Sequence, residues 1–201
     1  METVLSTPVT EAQARSLHVG DTVYVSGLVF TARDEAHHAL LDAAAGTEAL
    51  PIDPGQMAMF HCGPVVEQVD GAWRVVSAGP TTSTRMEMFE ADFLDRFKTR
   101  LIIGKGGMGT RTLEALGRVG AVYTHFTGGA GALAARAVRK VPAVYWLDEL
   151  GIPEAVWIFE VERFGPLTVT MDAHGASLYD ELAKQVQRSL EAIHARMEEE
   201  A

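Results

Sequence analysis

The sequence predicts an α/β domain in which a mixed or parallel sheet is flanked by helices, and three observations carry that expectation. Short apolar runs alternate with helix-forming segments, most visibly LIIGKGG, Thr110 to Val119, AVYTHFTGG, Gly131 to Arg139 and VPAVYWL. Glycines follow two of those runs, as they do where a strand gives way to a helix at the carboxyl edge of a parallel sheet joined by right-handed crossovers. The chain has 201 residues, 47% apolar and 22% charged, which is the size and balance of one ordinary folded domain spanning 1–201.

Taken in order, Thr10 reads as the cap of a short helix that ends near Gly20-Asp21, and Thr22 to Thr31, rich in Val, Tyr and Phe, reads as a strand. Asp34 to Ala45 are helix formers and Gly46 is a stop, so Arg33-Asp34 falls at a strand-to-helix junction. Between Met57 and Ser77, MAMFHCGPVVEQV and WRVVSAGP flank Asp70-Gly71, a hairpin signal that predicts paired strands. Met86 to Lys98 reads as a helix with Met88, Phe89, Phe93, Leu94 and Phe97 on one face, preceded by a loop from Thr81 to Arg85. Lys105 lies at the carboxyl end of the LIIG strand. Ala155 to Val161 and Leu167 to Met171 are expected as a final pair of strands. Leu178 to Glu199 is expected as an amphipathic helix with a frayed acidic tip at Glu198-Glu199-Glu200.

Seventeen basic against twenty-seven acidic residues give a net charge of -10, which argues against nucleic acid as a partner. No basic segment precedes an apolar stretch at the start, and no apolar run would span a bilayer, so the expectation is a cytoplasmic protein without a membrane role. Cys62 is the single cysteine; it excludes an internal disulfide and cannot alone bind an iron-sulfur cluster or structural zinc. His37, His38, His61 and His125 show no paired metal spacing and read as structural or surface residues, although His37 could touch a substrate; no metal site is predicted in this chain. Cys62 reads as a small half-buried hydrophobe, and Trp146, Trp157 and Phe159 as core or interface aromatics.

Four motifs place a polar or cationic residue beside small ones: TARDEAH at 31–37, GPTTSTRM at 79–86, GKGGMGT at 104–110 and FTGGAGAL at 126–133. GKGGMGT lacks the spacing of a phosphate-binding P-loop, in which Lys and then Ser or Thr directly follow the second glycine. Glycine after a strand leaves amides free to face an anion, and Arg and Lys supply planar and point-like grips on carboxylates. Arg33, Arg85 and Lys105 could together hold a small dianion.

These motifs, with CGP at 62–64, GAVYTHFTGGAGAL and LGIPEAVWIFEVERF at 150–164, occur in one order that resembles the beta subunit of the iron-sulfur-dependent class I fumarase and tartrate dehydratase family, from about Thr7 to Leu182. The resemblance implies a swivelling β/β/α domain. It implies that Arg33, Arg85 and Lys105 bind substrate carboxylates, that Thr81 takes part in proton transfer with help from Lys105 or Arg85, and that Thr82, Gly106 and Gly107 complete the substrate contacts. It further implies an alpha subunit holding a [4Fe-4S] cluster, within an alpha-beta complex that pairs into a heterotetramer. There an open iron position would act as a Lewis acid on the departing hydroxyl. The implied reaction is reversible hydration of fumarate to malate. Dehydration of tartrate to oxaloacetate is the second reading, and a non-catalytic carboxylate-binding module the third. Two departures from the pattern stand out: Gly131 where Ala is expected, and Gly-Pro-Leu after Phe164.

Overall fold

The computed structural model describes residues 2–46 and 49–199. In chain order the elements are β1 (Glu2–Ser6), α1 (Glu11–Arg15), β2 (Thr22–Thr31), α2 (Asp34–Ala45), β3 (Ala58–Phe60), β4 (Val65–Val69), β5 (Ala72–Ser77), α3 (Glu87–Phe97), β6 (Leu101–Gly104), α4 (Thr110–Val119), β7 (Val122–His125), α5 (Gly131–Ala137), β8 (Val138–Tyr145), α6 (Leu147–Leu150), β9 (Val156–Met171) and α7 (Leu178–Glu199). The predicted α/β class holds, with the sheet mixed rather than all parallel.

β2 organises the sheet. It pairs in parallel with β1 and β3, and antiparallel with β9. β3, β6 and β7 continue the parallel run, and β7 returns antiparallel to β9. The pairing path β2-β3-β6-β7-β9-β2 thus closes on itself, with β8 added antiparallel along β9. Alternation along the strands feeds two cores. Ala58, Phe60, Leu101, Ile103 and Val122 pack with Trp157 and Phe164, whereas Met59, Ile102 and Tyr123 face Leu40 of α2, Phe93 of α3 and Leu116 of α4. Strands buried on both faces read as continuous apolar runs, which is why LIIG has no polar break.

Several boundaries differ from the sequence reading. The hairpin forms at Asp70-Gly71, both with positive φ (51° and 78°) as a two-residue hairpin turn requires. Its strands are only β4 and β5, and Ala58–Phe60 instead enters the main sheet. The expected final pair of strands is one strand, β9, carried through a kink at Arg163 and Gly165-Pro166 by its pairing with β2. α5 stops at Ala137, two residues short of Arg139, because β8 already pairs from Val138. The buried face of α3 is Glu90, Ala91, Phe93 and Leu94, and Met88 is 63% exposed. β1 has no counterpart in the sequence reading. α7 is helical to Glu199; Glu200 of the acidic tip lies outside the described residues. Its apolar stripe, Leu182, Val186, Leu190 and Ile193, is exposed. Among the described residues no helix is long and apolar enough to cross a membrane.

Candidate active site

The predicted site residues come from loops at the carboxyl ends of β2 and β6, with the 79–86 segment between them. β2 ends in Thr31, whose hydroxyl donates to the Ala155 carbonyl (3.2 Å) and accepts from the Trp157 amide (3.0 Å). That bond holds the start of β9 against the Arg33 loop. Arg33 is the N-cap of α2 but gives it no side-chain capping bond. Glu154 fills that role: its carboxylate accepts from the Glu35 amide (3.2 Å) and pairs with Arg33 Nη2 (3.0 Å). An anion at a helix start is favoured by the exposed amides there, so Glu154 holds the helix and the guanidinium at once. Arg33 Nε remains a buried donor without a hydrogen-bond partner.

Gly63 of the CGP motif makes room for this arrangement. A Cβ there would lie 2.6 Å from the Pro153 carbonyl oxygen and 2.8 Å from Arg33 Nη1. Its neighbour Cys62 is fully rather than half buried, and burial pushes its thiol far above the ordinary range, more than the nearby Arg33 offsets. It is neither a nucleophile nor a ready metal ligand.

The 79–86 segment is fastened to the β3 and β6 ends. The Thr81 amide donates to the His61 carbonyl (2.7 Å), and the Ser83 amide to the Lys105 carbonyl (2.9 Å). Thr82 stands at the start of the turn over Ser83–Met86 with no capping bond of its own. Its hydroxyl instead accepts from Lys105 Nζ at 3.2 Å. Arg85, within that turn, reaches Asp34 Oδ2 at 2.6 Å. Arg85 therefore meets the residue after Arg33, while Thr82 meets Lys105, so the three cations sit on neighbouring loops at one end of the sheet. The threonine hydroxyl on Lys105 is that of Thr82; Thr81 is tied by its backbone.

The glycine loop after β6 is asymmetric. Gly106 is exposed, whereas Gly107 is buried with φ of 75° beneath Tyr179, whose ring would lie 2.5 Å from an added Cβ. Tyr179 also reaches His125 Nδ1 at 3.1 Å, and burial together with Lys105 lowers the His125 pKa. The Gly131 departure is local: a Cβ there would lie 2.3 Å from Ser77 Oγ.

Sequence reasoning missed Asp34, Glu154, Tyr179 and a buried cluster of His37, His61 and Glu90. His37 is wholly buried behind the rim, which removes it from contact with a substrate, and His61 lies beside it. The available signal was Glu90, a lone charge at helical spacing from Phe93, Leu94 and Phe97.

An iron-sulfur cluster does not fit this chain's own donors, because its one cysteine is buried and held as the thiol.

Comparison with known proteins finds relatives that match over most of the chain. A protein of Methanocaldococcus jannaschii provisionally named L(+)-tartrate dehydratase subunit beta is 44% identical over 184 residues, 92% of this chain and 94% of the relative. L(+)-tartrate dehydratase subunit beta of Escherichia coli (strain K12) is 39% identical over 184 residues, 92% of this chain and 90% of the relative. A Geobacillus stearothermophilus protein provisionally named fumarate hydratase class I is 43% identical over 181 residues, 90% of this chain but 34% of the relative. With residues 1–182 matching the family described as Fumarase C-terminus, the chain belongs to that family.

Proposed function

We propose that this chain is the beta subunit of an iron-sulfur-dependent hydro-lyase acting on a four-carbon dicarboxylate, with the cluster held by an alpha subunit and neither half active alone. The observation that carries the reading is the gathering of Arg33, Arg85 and Lys105 on adjoining loops of an otherwise acidic protein, with the Thr82 hydroxyl on Lys105 Nζ. A dicarboxylate needs positive charge at both ends, and Arg and Lys supply it in forms suited to carboxylate oxygens. Fixed cations also stabilise the extra charge that develops on a carboxylate when its neighbouring carbon loses a proton.

In this reading Arg33, Arg85 and Lys105 bind the substrate, the exposed Gly106 and Thr82 line its approach, and Gly107 shapes the loop. Thr81 and Lys105 are the residues proposed for proton transfer. A threonine hydroxyl is too weak a base alone near neutral pH, so the lysine's charge is part of the role. Hydration of fumarate to malate is supported by the similarity to the Geobacillus protein. Dehydration of L(+)-tartrate to oxaloacetate is supported by the names of the two relatives that match over nearly their whole length. The complex is proposed as cytoplasmic and heterotetrameric.

The test is anaerobic co-expression with candidate alpha chains, reconstitution of the cluster, and assay with malate, fumarate and both tartrate enantiomers. Turnover of one substrate assigns the reaction. Dicarboxylate binding without turnover by any reconstituted pair would replace the hydro-lyase with a binding module.

A further inference from the structure

Behind the cation rim lies a polar cluster that the proposed reaction leaves unused. His37, His61 and Glu90 are wholly buried. His61 Nε2 lies 3.0 Å and His37 Nε2 3.4 Å from the same carboxylate oxygen, Glu90 Oε2. Both approaches are off-axis for hydrogen bonds, so neither nitrogen nor either carboxylate oxygen has a well-aligned partner. Buried charge is tolerated only when something of opposite sign meets it.

The outer ring nitrogens fix where the hydrogens lie. His37 Nδ1 is 2.8 Å from the Arg33 carbonyl, which can only accept, so Nδ1 carries a hydrogen. Ser83 Oγ accepts from the Lys105 amide (3.2 Å) and from the Tyr123 hydroxyl (2.9 Å), which leaves its own hydrogen for His61 Nδ1 at 2.9 Å. His61 then carries its hydrogen on Nε2, facing Glu90. His37 Nε2 would meet the Glu90 oxygen lone pair to lone pair unless one further proton lies between them. Burial pushes the Glu90 carboxyl up, but His61 and His37 together bring it down to about 2, and burial lowers His61.

We propose that His37, Glu90 and His61 form a positioning triad, in which one extra proton between His37 and Glu90 locks the Arg33 loop to the Lys105 loop and so sets the spacing of the two cations. The proposal rests on the reading that both cations grip one dicarboxylate. The contacts run from the Lys105 amide to Ser83 Oγ, which Tyr123 also joins, to His61, to Glu90, to His37 and to the carbonyl of Arg33. A proton suits the cluster better than a metal ion. Among the described residues three side-chain donors converge, one short of a closed tetrahedral set, and a divalent ion would leave net positive charge in an enclosed space, whereas a proton leaves none.

The proton count makes an unusual demand on substitution. Both imidazoles address one carboxylate oxygen, so in Glu90→Gln the amide has to turn for its NH2 to donate to His37 Nε2 while its oxygen accepts from His61, and it then brings the hydrogen that the carboxylate lacks. Glu90→Leu fills the space and supplies neither. In the reconstituted alpha-beta complex, Glu90→Leu is expected to raise KM and to lower kcat/KM at least tenfold. Glu90→Gln is expected to stay within about threefold in both. In nitrogen-resolved NMR of the full chain, His37 is expected to carry hydrogen on Nδ1 and His61 on Nε2. The Arg33 and Lys105 amide signals are both expected to shift in Glu90→Leu and to stay in place in Glu90→Gln.

Equal losses in the Gln and Leu variants, unshifted amides in Glu90→Leu, the opposite tautomers, or stoichiometric zinc or iron bound to the wild-type chain and lost in His61→Ala would each overturn the triad. An inactive wild-type complex would count against the hydro-lyase reading alone, because the NMR measurements need no turnover.

Discussion

Arg85 Nη2 lies 2.6 Å from Asp34 Oδ2, so the residue next to one proposed carboxylate grip holds the other. The pair is half exposed on the Arg85 side, and such contacts contribute little to folding. Arg85→Ala should therefore leave the melting temperature nearly unchanged while lowering kcat/KM of the assembled enzyme tenfold or more, about 1.4 kcal/mol or above in transition-state stabilisation. Unchanged kinetics would remove Arg85 from the site.

Lys105→Ala should cost at least as much, because the ammonium also holds the Thr82 hydroxyl at 3.2 Å. The two threonines separate by kinetics. Thr82→Val should act mainly on KM by loosening Lys105, and Thr81→Val mainly on kcat if its hydroxyl moves a proton. Steady-state assays with the substrate found for the wild type distinguish them, and an effect of Thr82→Val on kcat alone would reassign the proton-transfer role.

Two glycines should resist substitution for different reasons. Gly63→Ala drives a Cβ against the Pro153 carbonyl and Arg33 Nη1, so activity should fall together with thermal stability. Gly107→Ala meets both a positive φ and the Tyr179 ring, and should cost about 1–3 kcal/mol, or several degrees of melting temperature, by calorimetry.

Cys62 should be inert in the native chain. Its burial raises the thiol pKa, and the thiolate is the reacting form. Ellman's reagent should label less than a tenth as fast as in denaturant, roughly, as protection by burial implies. Rapid labelling of folded protein would contradict the packing at Gly63.

Stability should fall in acid in two windows. Burial lowers the folded pKa of His61 below its ordinary 6.5, so the unfolded state takes up a proton first and stability declines as pH drops below 6.5. Glu90 is held at about 2 against an ordinary 4.5, so its contribution, complete above 4.5, is lost between 4.5 and 2. Urea titrations from pH 6.5 to 2 should show a falling midpoint, with the first decline absent in His61→Gln. A midpoint independent of pH would show that neither group is paired as described.

Local features of the sequence were legible and paired ones were not. Helix starts and strand ends from Thr22 to Ala45 and from Leu101 to Val119 follow from caps, glycines and apolar runs, and Arg33 and Lys105 were placed at strand ends from those alone. β9 reads as two strands because Gly165-Pro166 interrupts the apolar pattern, yet its partner β2 decides the outcome. β8 begins inside a helix-like stretch for the same reason, and Pro142 fits there because β8 lies at the edge of the sheet. The cation rim was visible as motifs. The triad was not, because His37, His61 and Glu90 lie far apart in sequence and meet only when α2, β3 and α3 pack.

The double pairing of β2 has a consequence for how the protein is made. One flank of β2 can be covered by β1 and β3 soon after synthesis, but the other waits for β9, more than 120 residues later. Until the ribosome has delivered residue 156 and beyond, the nascent chain carries an open strand edge of the kind that recruits other strands. Chains stalled short of β9 should aggregate or bind holding chaperones, and release should coincide with emergence of the last strand.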